Sequence, residues 1–194
     1  AFERLKPDIV VVHGDRFEVL AAAQAALLAL LPVAHIRGGE LTEGALDDAM
    51  RHAITKMAHM HFTASEAYST RVIQLGENPD RVFTVGALGL EAIYETPPMS
   101  RVELERSLDF PLGETTFLVT YHPATLAQTK QTQAIDELVA ALDHFPHATI
   151  VFTGVNADPG HDAIANRIRD YAAHRPGPTH YVESLGQPRY LALM

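Results

Sequence analysis

Short apolar runs alternate along the chain with longer segments whose apolar residues recur every three or four positions. "DIVVVHG" (8–14), "PVAHIRG" (32–38), "HFTAS" (61–65) and "RVFTVG" (81–86) have the length of strands. Helices are predicted between them, from about Phe17 to Leu31, Asp47 to Met60 and Glu66 to Leu75. The strand runs are continuously apolar, which is the pattern of parallel strands covered on both faces. After "ETPPMS" (95–100) the alternation breaks, and a charged stretch with a short helix from about Val102 to Leu108 reaches "DFPLGET" (109–115). It then resumes with "TTFLVTYH" (115–122), a helix from about Gln131 to His144, "ATIVFTG" (148–154), a helix from about His161 to His174, "THYVES" (179–184) and a further helix beginning in "PRYLALM".

The pattern predicts an α/β protein of two units, residues 1–97 and 115–194, joined by a proline-bearing linker over 98–114. The first unit opens directly in a strand, without a glycine-rich strand–turn–helix before it, and the chain stops inside an amphipathic segment. Both units are therefore expected to be truncated, the chain being part of a longer protein.

Composition narrows the chemistry. The 194 residues carry 15 Lys+Arg against 24 Asp+Glu, a net charge of −9 with neutral histidines and no segregated basic patch, so neither nucleic acid nor an anionic membrane is an expected partner. No run nears the roughly 18 apolar residues of a membrane span, and the start lacks a secretory pattern. With no cysteine, thiol catalysis is excluded and a cytoplasmic location fits. Eleven histidines invite a metal reading, but no H-E-x-x-H or comparable spacing supports one, and no metal is expected.

In parallel α/β sheets ligands bind beyond the carboxyl ends of strands, where helix N-termini offer unpaired N–H groups. Four polar tracts fall there. In "HGDRFE" (13–18), Gly14 permits a tight turn while Asp15 and Arg16 form an acid–base or anion-contact pair. Asp15 could equally cap the following helix, and caps are the commoner use of such an aspartate. In "RGGELTEGALDDAMRHAITK" (37–56), Gly38 and Gly39 let backbone approach a ligand, and Glu40, Glu43, Asp47 and Asp48 supply carboxylates. Asp47 stands four before Arg51, and Asp48 four before His52, so the same residues also read as an exposed helix with two ion pairs. In "VTYHPATLAQ" (119–128), Pro123 holds His122 extended at a strand end, an exposed loop histidine or a ligand contact. In "TGVNADPG" (153–160), Asn156 and Asp158 are turn formers.

Taken in order and spacing over nearly the whole chain, "HGDRFE", "HIRGGELTEGALDDAMRHAITK", "VTYHPATLAQ" and "TGVNADPG" resemble the hydrolysing branch of the UDP-N-acetylglucosamine 2-epimerase family, which forms N-acetylmannosamine for sialic acid synthesis. The resemblance implies two Rossmann-like domains in a GT-B-like arrangement. Residues 1–97 would be the C-terminal part of the first domain and 115–194 the N-terminal part of a UDP-binding second domain. It implies UDP-N-acetylglucosamine as substrate, no cofactor, and a homo-oligomer, dimer or tetramer. By position Asp15, Glu40, Asp47 and His122 would be catalytic, with His13, Arg16, Arg37, Asp48, Arg51, His52, Asn156 and Asp158 at the substrate. One departure stands out: relatives carry glutamate between "HI" and "GGE", where this chain has Arg37. The segments that complete the nucleotide site in the family lie outside the 194 residues, so the isolated chain is expected to hydrolyse UDP-N-acetylglucosamine negligibly. A non-hydrolysing epimerase, a GT-B glycosyltransferase and a UDP-sugar sensor without catalysis are the alternatives.

Overall fold

A computed structural model of the protein describes residues 2–122, 131–155 and 161–194. These divide into two compact units, Ala1–Tyr94 and Glu95–Met194. In the first unit, helix α1 (Phe2–Leu5) precedes a repeated strand–helix pattern: β1 (Val10–His13), α2 (Phe17–Leu28), β2 (Val33–Ile36), α3 (Asp47–Met57), β3 (Met60–Thr63), α4 (Glu66–Gln74), β4 (Val82–Thr84) and α5 (Leu88–Glu95). The four strands pair in sequence order, β1-β2-β3-β4, all parallel, with Val12 opposite His35 and His35 opposite His61. Each helical crossover returns the chain to the same end of the sheet, so every strand delivers its C-terminal loop to one edge.

The second unit starts with α6 (Arg101–Leu108), then β5 (Thr116–Val119), α7 (Gln131–Leu142), β6 (Thr149–Thr153), α8 (His161–His174), β7 (Thr179–Val182) and α9 (Gly186–Leu193). Its sheet is β5-β6-β7, again parallel. Within 98–114, α6 is closed by a capping box in which Ser100 and Glu103 satisfy each other's backbone N–H groups. Leu104 is buried, and α6 packs against α9 of the same unit.

Hydrophobic burial holds each unit. Val12, Ala23, Ala26, Val33, Ile54 and Ala58 form the core of the first, and Ile135, Val139, Ile150, Phe152, Ile164 and Ile168 the centre of the second. Fully burying a Val, Leu, Ile or Phe contributes about 1.5–3 kcal/mol. Alanines at 23 and 26 let α2 approach its sheet closely. The central strand β6 is buried along all five residues, while β1, at the border of its sheet, buries only Val12. Continuous apolar character therefore marks β6 as a strand covered on both faces, whereas in β1 the exposed Val11 follows from its edge position. Strands and helices fall where the pattern predicts. Helices α1 and α5 have no counterpart in that prediction: a single turn and an eight-residue segment give too little periodicity to detect.

Candidate functional site

The end of the first sheet is organised around one guanidinium. Arg51, on the second turn of α3, is 3% exposed. Its Nη2 donates to the Asp15 carboxylate and to Thr42 Oγ1 at 2.8 Å, and its Nη1 donates to the Glu40 carbonyl at 2.9 Å and to Asp48 Oδ1 at 3.1 Å. Asp48 Oδ1 also accepts from the Thr42 N–H at 3.0 Å. Arg51 thus binds the loop after β1, the loop after β2 and the start of α3 into one cluster. The planar fork of arginine suits this task, since it presents several donors in fixed directions.

Asp15 does not cap α2. The N-cap is Arg16, which makes no side-chain capping bond, and the Asp15 carboxylate reaches Arg51 across 36 residues of sequence. A charged partner held at the neighbouring strand end outcompetes the backbone amides because a salt-bridged, charge-assisted bond is the stronger one. Arg16 bonds Glu18 Oε1 at 2.8 Å on the exposed side of α2. His13 is exposed, and Asp47 is half-buried in the first turn of α3. The expected Asp48–His52 pair forms, and Asp48 serves Arg51 as well. Arg51 takes Asp48, at three residues' spacing, and His52 Nε2 lies 3.7 Å from Asp48 Oδ2.

The departure at residue 37 has a structural counterpart. Arg37 adopts a left-handed backbone (φ 69°), its N–H donates to the Phe62 carbonyl at 2.8 Å, and its guanidinium meets the Glu40 carboxylate in a fork, at 3.0 and 2.8 Å. The bonds to Glu40 raise the pKa of Arg37, with the charge on Asp15 adding to the effect. Glu40 is therefore committed through its side chain to Arg37 and through its carbonyl to Arg51.

The two glycines of this loop are required by packing. A Cβ on Gly39 (φ +80°) would collide with the Tyr68 carbonyl of α4. On Gly38 it would sit 3.1 Å from Thr55 Oγ1 and 3.2 Å from His35 Nδ1. Their absence of side chains lets the loop lie flat on α3 and α4.

In the second unit, His122 is exposed just beyond β5, while Asn156 and Asp158 lie outside the described residues. The strand ends there carry hydroxyls: Thr120 Oγ1 bonds Thr153 Oγ1 at 2.7 Å and approaches Tyr190 Oη at 3.3 Å. Beside them opens a cavity of about 350 Å³ lined by Thr153, Glu183, Ser184, Leu185, Gln187 and Tyr190. Sequence reasoning missed Thr42, Thr55, Thr120, Thr153 and Tyr190, because an isolated hydroxyl residue has no pattern of its own. It missed His35 as well, although a histidine inside an apolar strand is a signal that polar partners wait in the interior. No group of three or more His, Asp or Glu among the described residues could hold a metal ion, and no helix among them is long and apolar enough to cross a membrane.

A profile of UDP-N-acetylglucosamine 2-epimerases matches residues 1–194. The chain belongs to the UDP-N-acetylglucosamine 2-epimerase family. It is 40% identical, over all 194 residues and 50% of the relative, to the GDP/UDP-N,N'-diacetylbacillosamine 2-epimerase (hydrolyzing) of Campylobacter jejuni. It is 38% identical to the polysialic acid biosynthesis protein P7 of Escherichia coli, over 96% of this chain and 47% of that one. The UDP-N-acetylglucosamine 2-epimerase of Neisseria meningitidis is 31% identical over 89% of this chain and 45% of its own. Among solved structures, the Neisseria meningitidis UDP-GlcNAc 2-epimerase bound to UDP-GlcNAc superposes with a TM-score of 0.76 at 21% identity, covering 99% of this chain and 53% of that one. The fold is thus the α/β kind of these GT-B-like epimerases, and the chain spans about half the length of the curated relatives it matches.

Proposed function

We propose that this family member acts in a hydrolysing 2-epimerase that converts UDP-N-acetylglucosamine and water to N-acetylmannosamine and UDP. The observation that supports this reading is the Arg51 cluster, which presents the Asp15 carboxylate in a fixed orientation at a strand end. In the first step a carboxylate takes the proton from sugar C2. The C2–H electrons form the C1=C2 bond, and the C1–O bond breaks with its pair leaving on the UDP β-phosphate oxygen. Water then adds across the double bond, its hydroxyl to C1, and a proton reaches C2 from the opposite face, inverting that centre. The two faces need differently placed acid–base groups, and we assign these roles to Asp15 and Asp47. We assign His122 to the departing diphosphate, where a donor stabilises developing charge.

Arg37 and Glu40 enter this reading as a pair. Both Glu40 carboxylate oxygens are taken up by Arg37, whereas Asp15 meets Arg51 through Oδ2, so we reassign Glu40 from catalysis to orienting Arg37, whose half-exposed guanidinium is placed to meet a phosphate. The hydroxyls of Thr120, Thr153 and Tyr190 suit the uncharged polar groups of a nucleotide. A di-N-acetylated sugar nucleotide is the second reading, favoured by the 40% and 36% identity to hydrolysing diacetylbacillosamine epimerases.

The test is proton NMR in heavy water, with the protein carrying these residues offered UDP-N-acetylglucosamine and UDP-N,N'-diacetylbacillosamine in parallel. Free N-acetylmannosamine deuterated at C2 together with UDP is the expected product, and Asp15→Asn should reduce its formation at least about a hundredfold. Turnover of the diacetylated sugar alone selects the second reading. Binding of UDP-sugar without deuterium at C2 overturns both.

A further inference from the structure

Behind the Asp15–Arg51 pair stands a residue that no part of the proposed reaction uses. His35 is fully buried in β2, flanked by β1 and β3. Its Nε2 lies 2.9 Å from the Gly14 carbonyl, and its Nδ1 lies 3.1 Å from Thr55 Oγ1. Thr55 Oγ1 is in turn 3.0 Å from the Arg51 carbonyl. The ring therefore spans from the residue that precedes Asp15 to the helical turn that carries Arg51.

The contact with the Gly14 carbonyl sets the tautomer of the neutral ring. A carbonyl only accepts, so Nε2 must carry the hydrogen that reaches Gly14. In the neutral ring Nδ1 then holds a lone pair, and the single Thr55 hydroxyl hydrogen is shared between that lone pair and the Arg51 carbonyl, to which Thr55 also donates. An apolar side chain at 35 would fill the space but would leave the Gly14 carbonyl without this donor and the Thr55 hydroxyl with the Arg51 carbonyl alone. Space for the ring comes from Gly38, where a Cβ would crowd both Nδ1 and Thr55 Oγ1.

We propose that His35 is the positioning residue of the Asp15–Arg51 pair: bonded to the Gly14 carbonyl and the Thr55 hydroxyl, it sets the turn bearing the carboxylate against the helix bearing the guanidinium. The proposal rests on the reading above only for what the pair is used for; the geometry stands without it. Neighbouring His61 provides an internal control. It sits opposite His35 on β3 and is equally buried, but it bonds Glu77 at 3.2 Å, and Glu77 pairs with Lys56, away from Asp15.

Nitrogen-detected NMR of the labelled 194-residue chain tests this, comparing wild type with His35→Leu, Thr55→Val, Thr55→Ser and His61→Leu. Wild type should show His35 protonated on Nε2 and bare on Nδ1 at neutral pH, with slowly exchanging Arg51 Nη signals. Thr55→Val and His35→Leu should speed exchange at Arg51 about tenfold. Thr55→Ser should restore it, and His61→Leu should leave it as in wild type. A bare Nε2 on His35, or Arg51 signals indifferent to Thr55→Val, overturns the proposal even if His35→Leu fails to fold. In the protein carrying these residues, Thr55→Val should lower kcat about tenfold or more with KM little changed, and Thr55→Ser should recover it. If wild type shows no epimerase activity, the functional reading falls, while the Arg51 signals still decide the positioning role.

Discussion

The strand ends of the two units use opposite chemistry. In the first, charged side chains converge on Arg51, which is nearly out of water while Asp15 and Asp48 remain partly exposed. Among the described residues of the second, three hydroxyls form a chain beside a cavity, and the Glu183 carboxylate that helps line it accepts from Tyr181 at 2.8 Å and Arg169 at 3.2 Å. A buried cation with carboxylate partners fixes their orientation at a desolvation cost that the bonds to Nη1 and Nη2 offset, although Arg51 Nε is buried without a partner among the described residues. A hydroxyl chain orients neutral partners cheaply and is indifferent to pH. The difference teaches that the same crossover geometry can present a charged cluster at one sheet end and neutral hydroxyls at another.

Removing the cation is the strongest way to break that contrast. Arg51→Met leaves Asp15 and Asp48 facing each other without a counter-charge and strips Thr42 and the Glu40 carbonyl of their donor. We expect a loss of about 3–5 kcal/mol in urea denaturation. Arg51→Lys should recover only part of it, because an ammonium cannot reach four oxygens with the geometry of a fork. A loss below about 1 kcal/mol would show that the cluster is solvated in solution and does not set the site.

Acid titration tests the interior of the first unit next. Burial pushes His35 down to about 4, partly offset by its bond to the Gly14 carbonyl, and burial lowers His61 also, against the opposing pull of Glu77. As pH falls through about 6.5 the unfolded chain protonates these rings while the folded one resists. Stability is therefore complete above that pH and is lost as pH drops toward 4, by up to about 3 kcal/mol from His35. The charges nearest His35 in this account are those of His61, Asp15 and Arg51. Denaturation midpoints of wild type and His35→Leu measured from pH 7 to 4 should converge, the variant showing the shallower slope. Parallel slopes would mean that His35 does not titrate against folding.

Most of this architecture was legible in the pattern of apolar residues, since parallel strands and amphipathic helices declare themselves by period. Local chemistry was legible too: the tracts holding Asp15, Arg37, Glu40 and Asp48 were found from their place after strands. Their pairing was not. Asp15 to Arg51 spans 36 residues, and only the register of β1 on β2 and the docking of α3 bring them together. Helical spacing brought Asp48 to Arg51 and His52, while Asp15 reaches Arg51 only through tertiary placement. His35 illustrates the remaining gap: its strand position was plain, while its role depends on a carbonyl and a hydroxyl that sequence distance conceals.

The smallest effect belongs to the second unit and sharpens the comparison from its quiet side. Thr153 is buried at the end of β6, and its hydroxyl meets Thr120, which is itself exposed and also within 3.3 Å of Tyr190. Thr153→Val keeps the shape and removes one hydroxyl. Because Thr120 retains water and Tyr190 as alternatives, no polar group is stranded, and the expected loss is about 1 kcal/mol or less, with no change in its pH dependence. Tyr190→Phe should cost still less, since its hydroxyl sits at the cavity rim. A loss from Thr153→Val rivalling that of Arg51→Met would mean that the hydroxyl chain is a closed, fully desolvated network, and the contrast between a charged end and a neutral one would have to be abandoned.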